Sequence, residues 1–138
     1  MADKSLNPLV SIIILNYNAG DLLLNCVESV FRTSYDNIEV IVVDNASIDQ
    51  SQKQCKEKFD KIKLIENKQN LGYCEGNNVG IREASGEFIA ILNPDTTVTP
   101  NWISELVSAY RIHGDGLYQP KIISLYEENI LRSEEHTS

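Results

Sequence analysis

Residues 88–96 (FIAILNPDT) form a short apolar run that stops on an acidic turn. Residues 38–45 (IEVIVVDN) repeat this pattern, because a β-branched run again stops on an aspartate. Such runs are typical of buried strands. In open α/β sheets, ligands bind at the edge where the carboxyl ends of the strands lie. The sequence therefore predicts one polar site at that edge, with Asp44 and Asp95 supplied by distant parts of the chain.

Strand-like and helix-like segments alternate along the chain. Apolar runs predict strands at 10–15, 38–43, 62–65 and 88–92, and helical spacing predicts helices from 21, over 47–59, over 72–84 and from 99. This order predicts a single α/β domain, Rossmann-like, with a mostly parallel sheet and helices on both faces.

Local motifs refine the boundaries of these elements. Ser47 and Gln50 form an S-x-x-Q capping box, which predicts that the second helix starts there. Thr99 before Pro100 predicts an N-cap followed by proline at the first helical position. A fifth strand is predicted over Leu117–Leu125, at an edge or a bulge because Pro120 interrupts it.

Composition excludes several classes of protein. The net charge of −8 over 138 residues argues against a nucleic-acid binder, which needs clustered Lys and Arg. The chain has three cysteines, Cys26, Cys55 and Cys74, with no C-x-x-C spacing, and all three lie far in sequence from both histidines. We therefore expect reduced thiols without a metal-binding or catalytic role. No signal peptide and no transmembrane segment is recognisable, so a cytoplasmic protein is expected.

The loop sequences restrict how a phosphate ligand could be held. Neither G-x-G-x-x-G nor a P-loop G-K-[ST] is present, so a glycine-rich cradle for pyrophosphate is not expected. The predicted loops after the strands instead supply Asn and Asp side chains, at 16–18, 44–45, 67–72 and 93–95. These groups suit hydrogen bonding to a nucleoside or oxygen coordination of a hard cation. A divalent metal held by Asp95 is the natural substitute, because it neutralises a diphosphate.

Four motifs in order match one family. VSIIILNYN (10–18), VIVVDNASID (40–49), NLGYCEGNNVGI (70–81) and GEFIAILNPDT (86–96) strongly resemble family 2 glycosyltransferases of the GT-A fold. The LNPDT variant resembles a rhamnosyltransferase-like branch of cell-surface polysaccharide synthesis. The resemblance covers residues 9–123, and it implies an inverting transfer from a UDP- or dTDP-sugar to a saccharide or lipid-linked acceptor.

The resemblance also implies a set of donor-binding residues. Asp44 matches the acidic residue that accepts the ring N–H of uracil or thymine. The other matches are Asn16, Tyr17 and Asn18 in the first loop, Asn45 beside Asp44, Gly72 and Asn78 around the third loop and its helix, and Asn93. For Gly72 and Asn78, a role in backbone geometry and helix packing alone stays an equal alternative.

The turn at 93–95 occupies the D-x-D position of the family, with Asn93 in place of the first acid. The resemblance implies Mg²⁺ or Mn²⁺, with Asp95 as the main ligand, because an amide is a weaker cation ligand than a carboxylate. Whether Asn93 binds the metal directly, binds it through water or bonds only the sugar stays open. No acidic motif that matches the family's general base follows Thr96, so the base is expected in a later part of the parent protein.

The last residues, 132–138 (RSEEHTS), are what the sequencing-adapter stretch AGATCGGAAGAGCACACGTCT encodes in frame. We therefore expect residues 1–131 to be an incomplete glycosyltransferase domain and 132–138 to be a non-native tail. Two alternatives follow. The chain as written could be a nucleotide-sugar-binding fragment without turnover, with any membrane association supplied by the missing part. Nucleotidyl transfer is disfavoured, since the glycine-rich basic loop of that chemistry is absent.

Overall fold

The computed structural model describes residues 7–113 and the backbone of residues 123–124. Its main sheet has four parallel strands in the order β3-β2-β1-β4. The strands are β1 (Val10–Asn16), β2 (Ile38–Asp44), β3 (Lys63–Glu66) and β4 (Phe88–Leu92). The helices that alternate with them are α1 (Asp21–Phe31), α2 (Ser51–Lys58), α3 (Gly72–Glu83) and α4 (Trp102–His113). The predicted α/β fold with a parallel sheet is confirmed.

The strand register brings the carboxyl ends together. Asn16 pairs with Asp44, the last residues of β1 and β2, and Ile14 pairs with Leu92 at the end of β4. Since β1 lies between β2 and β4, the loops that leave all three strands begin at the same edge. This register positions the candidate site.

Helices cover both faces of the sheet. Ile12, Ile14, Val40 and Val42 share one core cluster with α1 and α4, which contribute Leu23, Val27, Trp102 and Ile103 among others. The alternate residues Ile13, Ile41 and Val43 face the other way and pack against α3. Each fully buried aliphatic side chain contributes about 1.5–3 kcal/mol. The near-continuous apolar runs of β1 and β2 therefore follow from burial on both faces.

Two predicted helix starts are wrong. Helix α2 begins at Ser51, with Gln50 in the left-handed region at φ 67° and no side-chain cap bond. Ser47 forms no capping box, because its hydroxyl accepts a hydrogen bond from the Asn18 N–H at 2.8 Å. Helix α4 begins at Trp102, two residues after Pro100.

The second of these errors also has a local cause. The Thr99 hydroxyl donates to Asn101 Oδ1 at 2.9 Å, and the Thr99 carbonyl accepts from the Trp102 N–H at 3.2 Å. Residues 99–102 therefore form a turn that precedes the helix. The first full helical bond in this region runs from the Glu105 N–H to the Asn101 carbonyl.

A second, two-stranded sheet lies beyond β4. It pairs β5 (Thr96–Thr97) with β6 (Ile123–Ser124) in antiparallel register. Residues 123–124 are the only described part of the fifth strand predicted over Leu117–Leu125, and they do not join the parallel sheet. The rest of that prediction, Pro120 and the tail at 132–138 lie outside the described residues. Within the described part of the chain, no helix is long and apolar enough to cross a membrane.

Candidate functional site

The carboxyl ends of β1 and β2 are joined through Asn16. The side-chain Nδ2 of Asn16 donates to Asp44 Oδ1 at 2.8 Å and to Ser51 Oγ at 2.9 Å. The backbone carbonyl of Asn16 accepts a hydrogen bond from the Asn45 N–H at 2.9 Å. Asn16 and Asp44 are almost fully buried. A buried carboxylate needs such partners, because an unpaired one is costly to desolvate. This pair therefore fixes the geometry of the edge.

Both carboxylate oxygens of Asp44 accept hydrogen bonds from the protein. The second oxygen, Oδ2, accepts from the Ser47 N–H at 2.9 Å. Only 1% of Asp44 is exposed. The structure thus gives Asp44 a role that the sequence did not indicate, which is to hold the β2–α2 loop against β1. Its contact with a nucleobase stays a prediction.

The β1–α1 and β2–α2 loops interlock above this pair. Asn18 Oδ1 accepts from the N–H groups of Ile48 at 2.8 Å and Asp49 at 3.3 Å. Asp49 Oδ2 in turn accepts from the Gly20 N–H at 3.0 Å. Two surface loops with this many mutual bonds form a defined surface, although loops are ordinarily mobile.

Backbone strain is concentrated in the same two loops. Asn18, Ala46 and Gln50 are the non-glycine residues with positive φ among the described residues, at 52°, 64° and 67°. Such conformations cost energy and persist where the surrounding contacts impose them, often at ligand sites. Their shared location at the carboxyl edge supports a functional surface there.

Asn45 links this surface to α3. Its Nδ2 donates to the Gly72 carbonyl at 3.2 Å, and its Oδ1 accepts from Asn67 Nδ2 at 2.9 Å. Gly72 has φ 86°, a conformation that favours glycine, and the space beside its Cα is open. A Cβ at Gly76 would lie 3.0 Å from Asn45 Nδ2 and 2.6 Å from Leu15 Cδ1. The absence of a side chain at Gly76 thus allows α3 to approach the edge.

Two tyrosine rings stand in solvent at this edge. Tyr17, which the sequence predicts, is 53% exposed, and Tyr73 in the first turn of α3 is 60% exposed. Sequence reasoning missed Tyr73. An aromatic residue within a predicted helix is more often a core residue, which is why Tyr73 was not singled out. The signal that could have identified it was its position directly after Gly72 in the NLGY motif.

The turn after β4 presents the predicted metal-binding residues. The Asn93 carbonyl accepts from the Thr96 N–H at 3.2 Å, from Thr96 Oγ1 at 2.7 Å and from the buried Cys26 thiol at 3.6 Å. The backbone of the turn is therefore held from both sides. The side chains of Asn93 and Asp95 are exposed.

The side-chain oxygen atoms of Asn93 and Asp95 suit a metal ion that is also bound by the phosphates of a ligand. Among the described residues, no group of three or more His, Cys, Asp or Glu side chains could hold a metal ion. Magnesium is commonly held by one or two carboxylates while substrate phosphates and water fill the other positions. The Asp95 carboxylate and the Asn93 amide oxygen suit that mode, and they do not form a closed protein cage.

The structure does not bring Asn78 into the network. Asn78 is exposed on the side of α3 opposite the sheet, where the side chains of Arg82 and Asn78 bond Glu75 and lower its pKa. The neighbouring Asn77 is buried, and neither polar atom of its side chain has a partner among the described residues. A donor-binding role for Asn78 stays a prediction.

Surface cavities of about 340 and 280 Å³ lie away from this edge. The larger is lined in part by Asn25, Arg32 and Pro100, and the other by Asp36 and Arg111 among others. Neither contains a residue of the network around Asn16 and Asn45. The network at the sheet edge is thus separate from these two cavities.

Comparison with known proteins identifies the family of this chain. The family model described as "Glycosyl transferase family 2" matches residues 11–136. An uncharacterized glycosyltransferase of Haemophilus influenzae is 36% identical over 104 residues, which cover 73% of this chain and 32% of that protein. The chain thus spans about a third of the length of this relative.

Solved structures share the fold. The mannosyltransferase PcManGT from Pyrobaculum calidifontis, in complex with GDP-Man and Mn²⁺, superposes with a TM-score of 0.69 at 25% identity, over 75% of this chain and 32% of that chain. S. aureus TarS 1-349, in complex with UDP-GlcNAc, gives 0.70 at 22% identity over 80% and 37%. The architecture is the GT-A fold, and because the family model matches most of the sequence, the chain belongs to glycosyl transferase family 2.

Proposed function

We propose that this chain is the donor-binding portion of an inverting glycosyltransferase. The enzyme moves a sugar from a UDP- or dTDP-sugar to a saccharide or lipid-linked acceptor in cell-surface polysaccharide synthesis. The observation that carries the proposal is the rigid surface at the carboxyl edge, where the Asn16–Asp44 network lies beside the exposed Asn93–Asp95 turn. Family membership supports the same assignment.

The nucleoside is expected to contact the network around Asn45. Asn and Asp side chains discriminate the polar edges of a base and the ribose hydroxyls. The interlocked loops fix these groups before the ligand arrives, which lowers the ordering cost of binding. The exposed ring of Tyr17 offers an aromatic face to a base.

The diphosphate is expected at the turn after β4. Asp95 would hold Mg²⁺ or Mn²⁺, with Asn93 as a weaker ligand or a sugar contact. When bound, the cation neutralises charge on the departing diphosphate. The Mn²⁺ in the PcManGT complex supports this use of a divalent metal.

The acceptor side is expected in the rest of the parent enzyme. Inverting transfer needs a base that removes a proton from the acceptor hydroxyl as it attacks the anomeric carbon. The sequence after Thr96 supplies no matching acidic motif. The longer relative has room for such a residue and for the acceptor pocket. The resemblance of the motif at 92–96 to a rhamnosyltransferase-like branch supports a hexose or a deoxyhexose as the transferred sugar.

Titration calorimetry of UDP- and dTDP-sugars with and without Mn²⁺ tests the donor half. We expect metal-dependent binding that Asp95→Ala abolishes, because this variant removes the main carboxylate ligand. Asp60→Ala is the matched control, since Asp60 is also exposed but lies in the turn between α2 and β3. Equal donor affinity with and without Mn²⁺ would contradict the proposal.

A glycosyl-transfer assay distinguishes a chain that only binds the donor from a chain that also catalyses transfer. If the chain is only the donor-binding portion, the 138 residues bind the donor but give no glycosyl transfer and no donor hydrolysis. Robust transfer by the 138-residue chain would show that it contains its own base and acceptor site. That result would overturn the view of a binding fragment.

A further inference from the structure

The two exposed tyrosines at the site are anchored by one residue. The Asn45 N–H donates to the carbonyl of Asn16, and Asn45 Nδ2 donates to the carbonyl of Gly72. Tyr17 and Tyr73 are the residues that directly follow these two carbonyls. Asn45 is thus hydrogen-bonded to the peptide group that precedes each ring, at 2.9 Å on the β1 side and 3.2 Å on the α3 side.

The anchors of both rings are fixed by further bonds. The Gly72 N–H donates to Asn70 Oδ1 at 2.9 Å, which closes the turn before α3. On the other side, Asn18 is bonded to the β2–α2 loop through its N–H and its side chain. The backbone at each tyrosine is therefore held in place, although both rings face solvent.

Exposed aromatic rings on a rigid frame are typical of binding surfaces. A tyrosine ring offers a large apolar face and loses little conformational entropy when a ligand covers it. Successive aromatic faces accept a base by stacking, whatever its hydrogen-bonding edge. Asn45 bonds the backbone that precedes each of the two tyrosines, and its side-chain amide lies between the β1 side and the α3 side of the site.

We propose that Tyr73 is a second aromatic wall for the donor nucleobase, on the α3 side of Asn45, and that Asn45 is the positioning residue that sets its place relative to Tyr17. The inference rests on the proposed function and deepens it, because it assigns base contact to a residue outside the predicted donor-binding set. Gly76 supports the arrangement, since a side chain there would press on the Asn45 amide.

Calorimetry with UDP and with dTDP in the presence of Mn²⁺ tests the role of Tyr73 in the full 138-residue chain. Loss of one stacking face weakens binding about tenfold, so Tyr73→Ala and Tyr73→Leu should each show that loss. Tyr73→Phe should bind like the native chain, because the ring is kept. Ile112→Ala is the control, as Ile112 is also exposed but lies near the end of α4.

Proton NMR gives a readout that a structural role would not move. With diamagnetic Mg²⁺ in place of Mn²⁺, the H6 resonance of the bound pyrimidine should shift upfield on binding, and part of that shift should disappear with Tyr73→Leu. In a double-mutant cycle, Tyr73→Ala should cost less in an Asn45→Ala background, because the ring is then no longer held in place.

The outcomes separate the two proposals. If the native chain binds neither UDP nor dTDP with Mn²⁺, the proposed function is overturned and this inference falls with it. If the native chain binds and Tyr73→Ala binds equally well, only the inference is overturned. Equal weakening by Tyr73→Phe and Tyr73→Ala would assign the contact to the hydroxyl group and reject the aromatic wall.

Discussion

Asn16 Nδ2 donates a 2.8 Å hydrogen bond to Asp44 Oδ1, across 28 residues of sequence and between the last residues of adjacent strands. The bond is buried, and it joins the two loops that form the floor of the candidate donor site. Both side chains belong to motifs that the sequence links to the donor nucleotide. The structure shows that they also stabilise each other.

Replacing Asn16 by alanine should destabilise the fold. The change leaves the buried Asp44 Oδ1 without its amide partner, and we expect a loss of about 2–3 kcal/mol in the free energy of unfolding. Urea denaturation of the native chain and the variant measures this loss. Asn25→Ala is the control, because Asn25 is exposed on α1. A loss no larger than that of the control would show that the bond is dispensable.

Gly76→Ala should also destabilise the chain. The new Cβ would lie 2.6 Å from Leu15 Cδ1, so α3 or Leu15 must shift. Overpacking of this kind costs about 1–3 kcal/mol, which outweighs the better helix propensity of alanine. Thermal unfolding followed by circular dichroism measures it, with Cys74→Ala, exposed on the same helix, as the control. A raised melting temperature for Gly76→Ala would contradict the packing seen here.

Asp49 should add an acid-dependent component to stability. Desolvation raises the pKa of its carboxyl, but hydrogen bonds from Ser51 Oγ, the Ser51 N–H and the Gly20 N–H outweigh it and lower the pKa below its ordinary value. A lowered folded-state pKa stabilises the fold above the unfolded pKa of about 3.9, and this contribution is lost as the pH falls through the folded-state value.

Urea midpoints measured from about pH 6 down to about pH 2 test this sign, because that range spans the unfolded pKa. Asp49→Asn should be less stable than the native chain at the upper end, and the difference should shrink as the pH falls. A difference that is constant across the range would assign the effect of Asp49 to geometry alone. A difference that grows toward low pH would contradict the direction of the shift.

The three cysteines should differ sharply in reactivity. Burial raises the pKa of the Cys26 thiol to about 12 and that of Cys55 to about 11, whereas Cys74 is exposed. Because the thiolate is the reactive form, a thiol reagent at neutral pH should modify Cys74 alone in the folded chain. Cys74→Ser should abolish this reaction, and all thiols should react in denaturant. Rapid labelling of Cys26 in the folded chain would contradict the packing of α1.

The sequence predicted the elements well where burial determines them. Helix α1 begins at Asp21 and β4 spans Phe88–Leu92, both as the apolar pattern indicates. The parallel sheet follows from the alternation of strands and helices, because parallel strands need crossover connections. The motif resemblance identified the family, which the family model confirms.

The sequence failed where polar side chains choose between local and distant partners. Ser47 could bond its own helix start or another loop with equal local plausibility, and only the folded chain places the Asn18 N–H within 2.8 Å of it. The exposed ring of Tyr73 was missed because its exposure depends on how α3 packs against the sheet.

The sequence by itself determined the order of strands and helices, the glycosyltransferase family and the polar residues that end the strands. These properties depend on local periodicity and on motif composition, which the chain carries before it folds. Only the tertiary structure decided that Asp44 is buried against Asn16, that Asn78 lies on the outer side of α3 and that Asn45 links both tyrosine anchors. Those relationships depend on strand register and on the close approach allowed at Gly76, and both exist only once the sheet and α3 have packed together.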